Sequence, residues 1–128
     1  MKKLLFLVLT VLIVACSSDD NNSNIQTCGE SSIVGTWDNQ VLFDNVPIDS
    51  WQFNSNETGS YSVLGEVLVE ITWEANESVI STNVFIEGIE APFLDFNYSF
   101  SSDCDEINLQ ADANEDFPDG IDFYYDRR

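Results

Sequence analysis

The chain has no histidine, and its only two lysines are Lys2 and Lys3. Without histidine there is no Ser-His-Asp triad, no Cys-His pair and no His-ligated zinc. Beyond the first three residues no lysine is left to form a Schiff base or to hold phosphates in a P-loop. The other cations are Arg127 and Arg128, set against 23 Asp and Glu. Nucleic-acid binding depends on Lys and Arg displacing counterions from phosphates, so so acidic a surface excludes nucleic acid as a partner. Carboxylates are abundant, yet no pair is marked by spacing or context as an acid and a base, and no enzyme is expected.

Long apolar runs are also scarce. Met1-Lys2-Lys3 supplies a positive flank to the run Leu4–Ala15. That run is too short to span a bilayer, which takes roughly 20 apolar residues, but it suits the apolar region of a secretory signal. It ends Ile13-Val14-Ala15-Cys16, with a small residue just before the cysteine. This resembles the bacterial lipobox, which implies cleavage before Cys16, lipidation of its sulfur and acylation of its new amino group. Several acyl chains, at about 0.8 kcal/mol per buried methylene, hold a protein to a membrane where one chain does not.

Ser17–Asn24 contains no apolar residue and reads as a flexible tether. The pair Asp19-Asp20 after the cysteine resembles the export signal that carries some lipoproteins to the cell surface. The expected organisation is a signal peptide over 1–15, a lipidated cysteine and polar tether over 16–32, and one folded domain over 33–128. The expected location is the bacterial outer membrane, reached through the lipid anchor and facing the cell surface.

Three cysteines are present, and lipid takes Cys16. Outside the cytoplasm the remaining two, Cys28 and Cys104, are expected to pair, tying the start of the domain to a late turn. Two separate thiols are the alternative. Without histidine they make a poor zinc set.

From Ile33 onward the pattern has period two, cut by Asn, Asp, Gly and Ser. Strands are predicted at Val34–Phe43, Asp49–Asn54, Ser60–Leu64, Glu66–Ala75, Ser78–Ile86, from Pro92 through Phe100, Ile107–Ala111 and Ile121–Arg127. Trp37, Val41 and Phe43 share one parity in the first. Val67, Val69, Ile71 and Trp73 do so in the fourth, opposite Glu66, Glu70 and Glu74. Strands with one wet face are antiparallel, and closing the sheet removes its edges. The fold class is therefore all-β: a small eight-stranded antiparallel up-and-down barrel, with a β-sandwich as the runner-up.

Gly35-Thr36-Trp37 resembles the G-x-W signature of lipocalins. The run Trp51-Gln52-Phe53-Asn54-Ser55-Asn56-Glu57-Thr58-Gly59-Ser60-Tyr61 is similar to the second hairpin of lipocalin-like bacterial lipoproteins. Ile71-Thr72-Trp73 and Phe123-Tyr124-Tyr125-Asp126-Arg127 fit the same layout. The resemblance implies a barrel whose floor is closed by Arg127 stacked on Trp37, worth about 0.5–2 kcal/mol.

Two functions are open. In the first, Trp51, Phe53, Trp73, Phe96, Tyr98, Phe123 and Tyr125 line a pocket for a small apolar or aromatic ligand, although a small barrel needs the same bulk to fill its core. A basic protein partner would also suit the acidic surface. In the second, Asp112, Asn114, Asp116 and Asp119 form a calcium-binding loop that stabilises an acidic adhesion module with a packed core. No other cofactor is expected. That loop departs from the EF-hand, since Phe117 stands where Gly is needed and no closing Glu follows. A solvated acidic turn accounts for the same residues.

Overall fold

In the computed structural model, residues 27–113 and 118–128 are described. The expected signal peptide, Cys16 and the tether residues Ser17–Asn24 lie outside them. A 3₁₀ turn, Glu30–Ser32, leads into β1 (Gly35–Asn39), β2 (Leu42–Phe43), β3 (Val46–Pro47), β4 (Asp49–Phe53) and β5 (Thr58–Val63). There follow β6 (Glu66–Ala75), β7 (Val79–Ile86), β8 (Ile89–Phe100), β9 (Glu106–Ala111) and β10 (Ile121–Arg127). Eight of these strands close a barrel in the order β1-β10-β9-β8-β7-β6-β5-β4, and β2 and β3 form a separate hairpin. Every pairing is antiparallel. The barrel, not the sandwich, is the fold.

Up-and-down order sorts the connections between two ends. The β4–β5, β6–β7 and β8–β9 turns gather at one end, the floor, with the Glu30–Ser32 turn and the end of β10. The β2–β3 hairpin and the β5–β6 and β7–β8 turns gather at the other end, the mouth. Cys28 and Cys104 are joined at the floor, with Cα atoms 5.7 Å apart and a sequence separation of 76. Closing so long a loop contributes about 4–5 kcal/mol in the chain-entropy account.

The predicted first strand stops early. Asn39 turns its side chain back, so that Oδ1 accepts from Val41 N–H at 2.8 Å while Nδ2 donates to Asp49 at 2.8 Å. This local bond competes with the ladder and releases the chain from the barrel. Asp44 and Asn45 then take left-handed φ of 52° and 64° in a two-residue hairpin turn. Val41 and Phe43, expected inside, are 59% and 66% exposed.

Two bulges break the parity elsewhere. Tyr61 pairs with Val69 but Ser62 pairs with Val67, which leaves Leu68 as the extra residue. One extra residue reverses the faces beyond it, so Val67 points outward and is 60% exposed. In the same way Thr82 pairs with Leu94 and Asn83 with Pro92, leaving Phe93 extra. Proline has no N–H to offer a ladder, and a bulge is where a strand tolerates it. Thr82 repairs the break, accepting from Leu94 N–H at 3.1 Å and donating to Leu94 O at 2.8 Å. Because of this bulge β8 continues past Pro92 back to Ile89.

At Gly59 two strands run too close for a side chain: a Cβ built there would lie 2.1 Å from the Gln52 carbonyl oxygen. That oxygen is backbone and cannot swing away. Gly59→Ala is expected to cost about 1–3 kcal/mol or more through overpacking, read as a lower urea midpoint. A midpoint equal to that of the wild type would contradict this register.

Candidate functional site

The side chains assigned to a ligand pocket fill the interior. Trp51, Phe53, Trp73, Phe96 and Tyr125 belong to the buried core, and Tyr98 and Phe123 pack against it from partly buried positions. Trp51 is the hub: its ring lies 5.8 Å from Phe53, 4.6 Å from Tyr61 and 5.4 Å from Phe96. Phe53 in turn meets Trp73 edge-on at 5.2 Å. Such offset and edge contacts between rings are favourable arrangements as well as filled volume. Trp73 Nε1 donates to the Asn54 and Thr58 carbonyls, both at 3.1 Å. Among the described residues no buried polar side-chain atom lacks a partner.

A polar cap closes this core below the mouth. Asp49 accepts from Asn39 Nδ2 on one oxygen, and from the Tyr61 hydroxyl at 3.0 Å and the Tyr125 hydroxyl at 3.2 Å on the other. Trp51 Nε1 donates to the Tyr125 hydroxyl at 3.3 Å. Burial, then the charge of Asp49 and its hydrogen bond, push the Tyr61 hydroxyl up from 10.0 to about 12. Burial and Asp49 also raise Tyr125. Tyr98 is raised by burial first and then by the carboxylates of Glu30 and Glu77.

The floor holds a second set. Arg127 lies over Trp37, with Cζ 4.3 Å from the ring centroid, in the position the lipocalin resemblance implied. Its guanidinium donates to the carbonyls of Ser32 at 2.6 Å, Val34 at 3.0 Å and Cys104 at 3.1 Å. Trp37 Nε1 donates to the Ile33 carbonyl at 2.7 Å. Arg128 makes a two-pronged pair with Asp38, at 2.7 and 2.6 Å. Arg127 is therefore engaged at the floor, whereas Arg128 lies along the outer wall, beside a cleft that Ser62, Gly65 and Val67 also line.

The calcium-loop residues are only partly in view. Asn114 and Asp116 lie outside the described residues. Asp112 accepts a hydrogen bond from Asn97 at 3.0 Å, and Asp119 is exposed. Among the described residues no group of three or more acidic or cysteine side chains is gathered to hold a metal ion.

What the sequence pattern missed is the mouth itself. Exposed apolar side chains crowd there: Phe43 and Val46 on the β2–β3 hairpin, Leu64 on the β5–β6 turn, and Ile86 and Ile89 on the β7–β8 turn. The available signals were Leu64-Gly65, between Val63 and Glu66, and Glu87-Gly88, between Ile86 and Ile89, each a two-residue hairpin turn. Both pairs take left-handed φ, 49° and 82° for the first and 53° and 82° for the second.

Two outcomes follow from the cap and the floor. A tyrosine whose folded-state pKa is raised keeps its proton in the fold while the unfolded chain loses one. Its contribution is whole below 10 and is lost as pH rises from 10 toward 12. Urea midpoints on either side of pH 10 should therefore fall with rising pH, and fall less steeply in Tyr61→Phe; an equal slope would exclude this cause. Arg127→Lys is expected to cost about 2–4 kcal/mol, because a point charge cannot serve three carbonyls and cover an indole together. Thermal unfolding that left the variant as stable as the wild type would refute the clamp. No family model matches this chain, and no curated protein or solved structure matches it.

Proposed function

We propose that this protein is a lipid-anchored, lipocalin-like binding barrel of the bacterial outer membrane, facing the cell surface, and that its working surface is the mouth rather than the interior. On this reading it is a binding protein and not an enzyme. One observation carries it: the apolar side chains that a soluble domain would bury are gathered at one end, on hairpins that project beyond the barrel. Large exposed apolar patches mark interaction sites, whereas scattered apolar residues do not. The interior is less suited to a ligand, since Trp51, Phe53, Phe96 and Tyr125 are packed against one another and capped by Asp49.

The anchor and the mouth fit one arrangement. Cys28 is held at the floor by Cys104, so a tether from Cys16 arrives at the end opposite the mouth. A flexible tether of that length reaches roughly 20 Å, which leaves the mouth free to point away from the membrane. G-x-W at Gly35-Thr36-Trp37, the eight-stranded barrel and the Arg127–Trp37 stack support the lipocalin likeness.

Cys16→Ser is expected to move the protein from the membrane fraction to the soluble fraction and to abolish labelling by radioactive palmitate; continued membrane attachment would remove the anchor from the proposal. A photo-crosslinking residue at Leu64 or Ile89 should form adducts on cells, while one at Tyr124, exposed on the barrel wall, should not. Equal adducts at all three positions would remove the mouth from it.

A further inference from the structure

We infer that the mouth docks a cationic amphipathic segment of a partner protein, one whose Lys and Arg flank an apolar stripe. This rests on the reading of the mouth as the working surface and names what it takes. Each projecting tip sets a carboxylate beside an apolar side chain. Asp44 follows Phe43, Glu66 follows Leu64-Gly65, and Glu87 and Glu90 bracket Ile89. Glu90 is held in place, accepting from the Thr72 hydroxyl at 2.7 Å. The apolar surface continues down the wall, where Val67 and Phe85 border a cleft of about 500 Å³ that also includes Glu70.

None of these tips carries a Lys or Arg of its own. Beyond Lys2 and Lys3 the sequence has only Arg127, engaged at the floor, and Arg128, paired with Asp38 on the outer wall. The charge pattern therefore selects among occupants. A purely apolar ligand would strip water from the carboxylates without pairing them, which is costly. An anionic lipid surface is repelled, and a second copy of the chain would bring the same acidic tips face to face. A segment with Lys or Arg beside its apolar stripe buries both kinds of surface at once, with the long side-chain stems lying over the apolar rim and the charges meeting the carboxylates.

Backbone conformation at the tips points the same way. Leu64 and Glu87 hold left-handed φ of 49° and 53°, where Asn, Asp and Gly are the favoured residues. An exposed leucine and a glutamate stand at positions that turn geometry alone would give to asparagine. This also makes the test clean, because asparagine at Asp44, Leu64 or Glu87 suits the local backbone and leaves the fold intact.

The experiment uses the full-length lipidated chain in phosphatidylcholine nanodiscs, with empty nanodiscs as reference. Three fluorescent peptides are titrated: a Leu/Lys amphipathic helix, a Leu/Glu helix of the same pattern, and a Ser/Lys peptide of the same charge as the first. Only the Leu/Lys peptide is expected to bind, more weakly as salt rises. Asp44→Asn/Glu87→Asn/Glu90→Gln and, separately, Leu64→Asn/Ile89→Ser should each weaken it by about tenfold or more, with unchanged urea midpoints. If the Leu/Glu peptide binds equally, or the charge variant binds within about twofold of wild type while the apolar variant loses binding, the cationic partner is overturned and the apolar mouth stands. If neither variant changes binding, the mouth reading itself fails. Absence of Leu/Lys binding overturns the inference. So does a dimer of the unliganded chain that Leu64→Asn/Ile89→Ser dissolves, since the mouth then serves a second copy.

Discussion

The barrel depends on a short seam. β1 and β10 meet over three residue pairs, Trp37 with Arg127, Asp38 with Asp126 and Asn39 with Tyr125. So few ladder bonds would make a weak closure, and side chains reinforce it at both ends. At the floor, Arg127 spans the seam, binding carbonyls of the leading segment and of the β8–β9 turn while covering the Trp37 ring. At the upper end, Asn39 and Tyr125 both reach Asp49, so that one carboxylate joins β1, β4 and β10. Tyr61 adds β5 to the same oxygen that Tyr125 uses.

This seam divides the labour between the ends. The disulfide, the 3₁₀ turn and Arg127 all serve the floor, which is also where the chain from the amino terminus arrives. The mouth is spared structural duty. Once the core is filled by Trp51 and its neighbours and capped by Asp49, the projecting hairpins are free to carry exposed phenylalanine, leucine and isoleucine beside carboxylates. An acidic rim mixed with hydrocarbon is unfavourable on an isolated surface and suits a partner that brings both cations and apolar groups.

Much of the fold was legible because a half-buried strand writes its two faces into the sequence. Glu66–Ala75 and Ile121–Arg127 have the strand boundaries that the alternation predicts. The failures have local causes. Val67 was read inward because a bulge leaves no mark in a pattern that still alternates, and the extra Leu68 is itself apolar. Val41 and Phe43 were read inward because nothing in their own spacing reveals that Asn39 turns the chain out of the ladder. Pro92 was read as a strand start because proline interrupts a ladder, but the bulge at Phe93 absorbs that interruption.

The candidate site divides along the same line. From the sequence alone came the all-β class, the eight-stranded barrel and the pairing of Cys28 with Cys104, since each follows from composition or from period-two patterning. The aromatic set was correctly read as inward, and its ambiguity between lining and filling was real, because both uses demand the same bulky residues. Only the tertiary structure decided that these rings pack on one another, that Asp49 caps them, and that Phe43, Leu64, Ile86 and Ile89 gather at one end. Those residues are far apart in the chain, and their common position depends on strand direction, bulges and turn geometry, which bring them together only when the barrel closes.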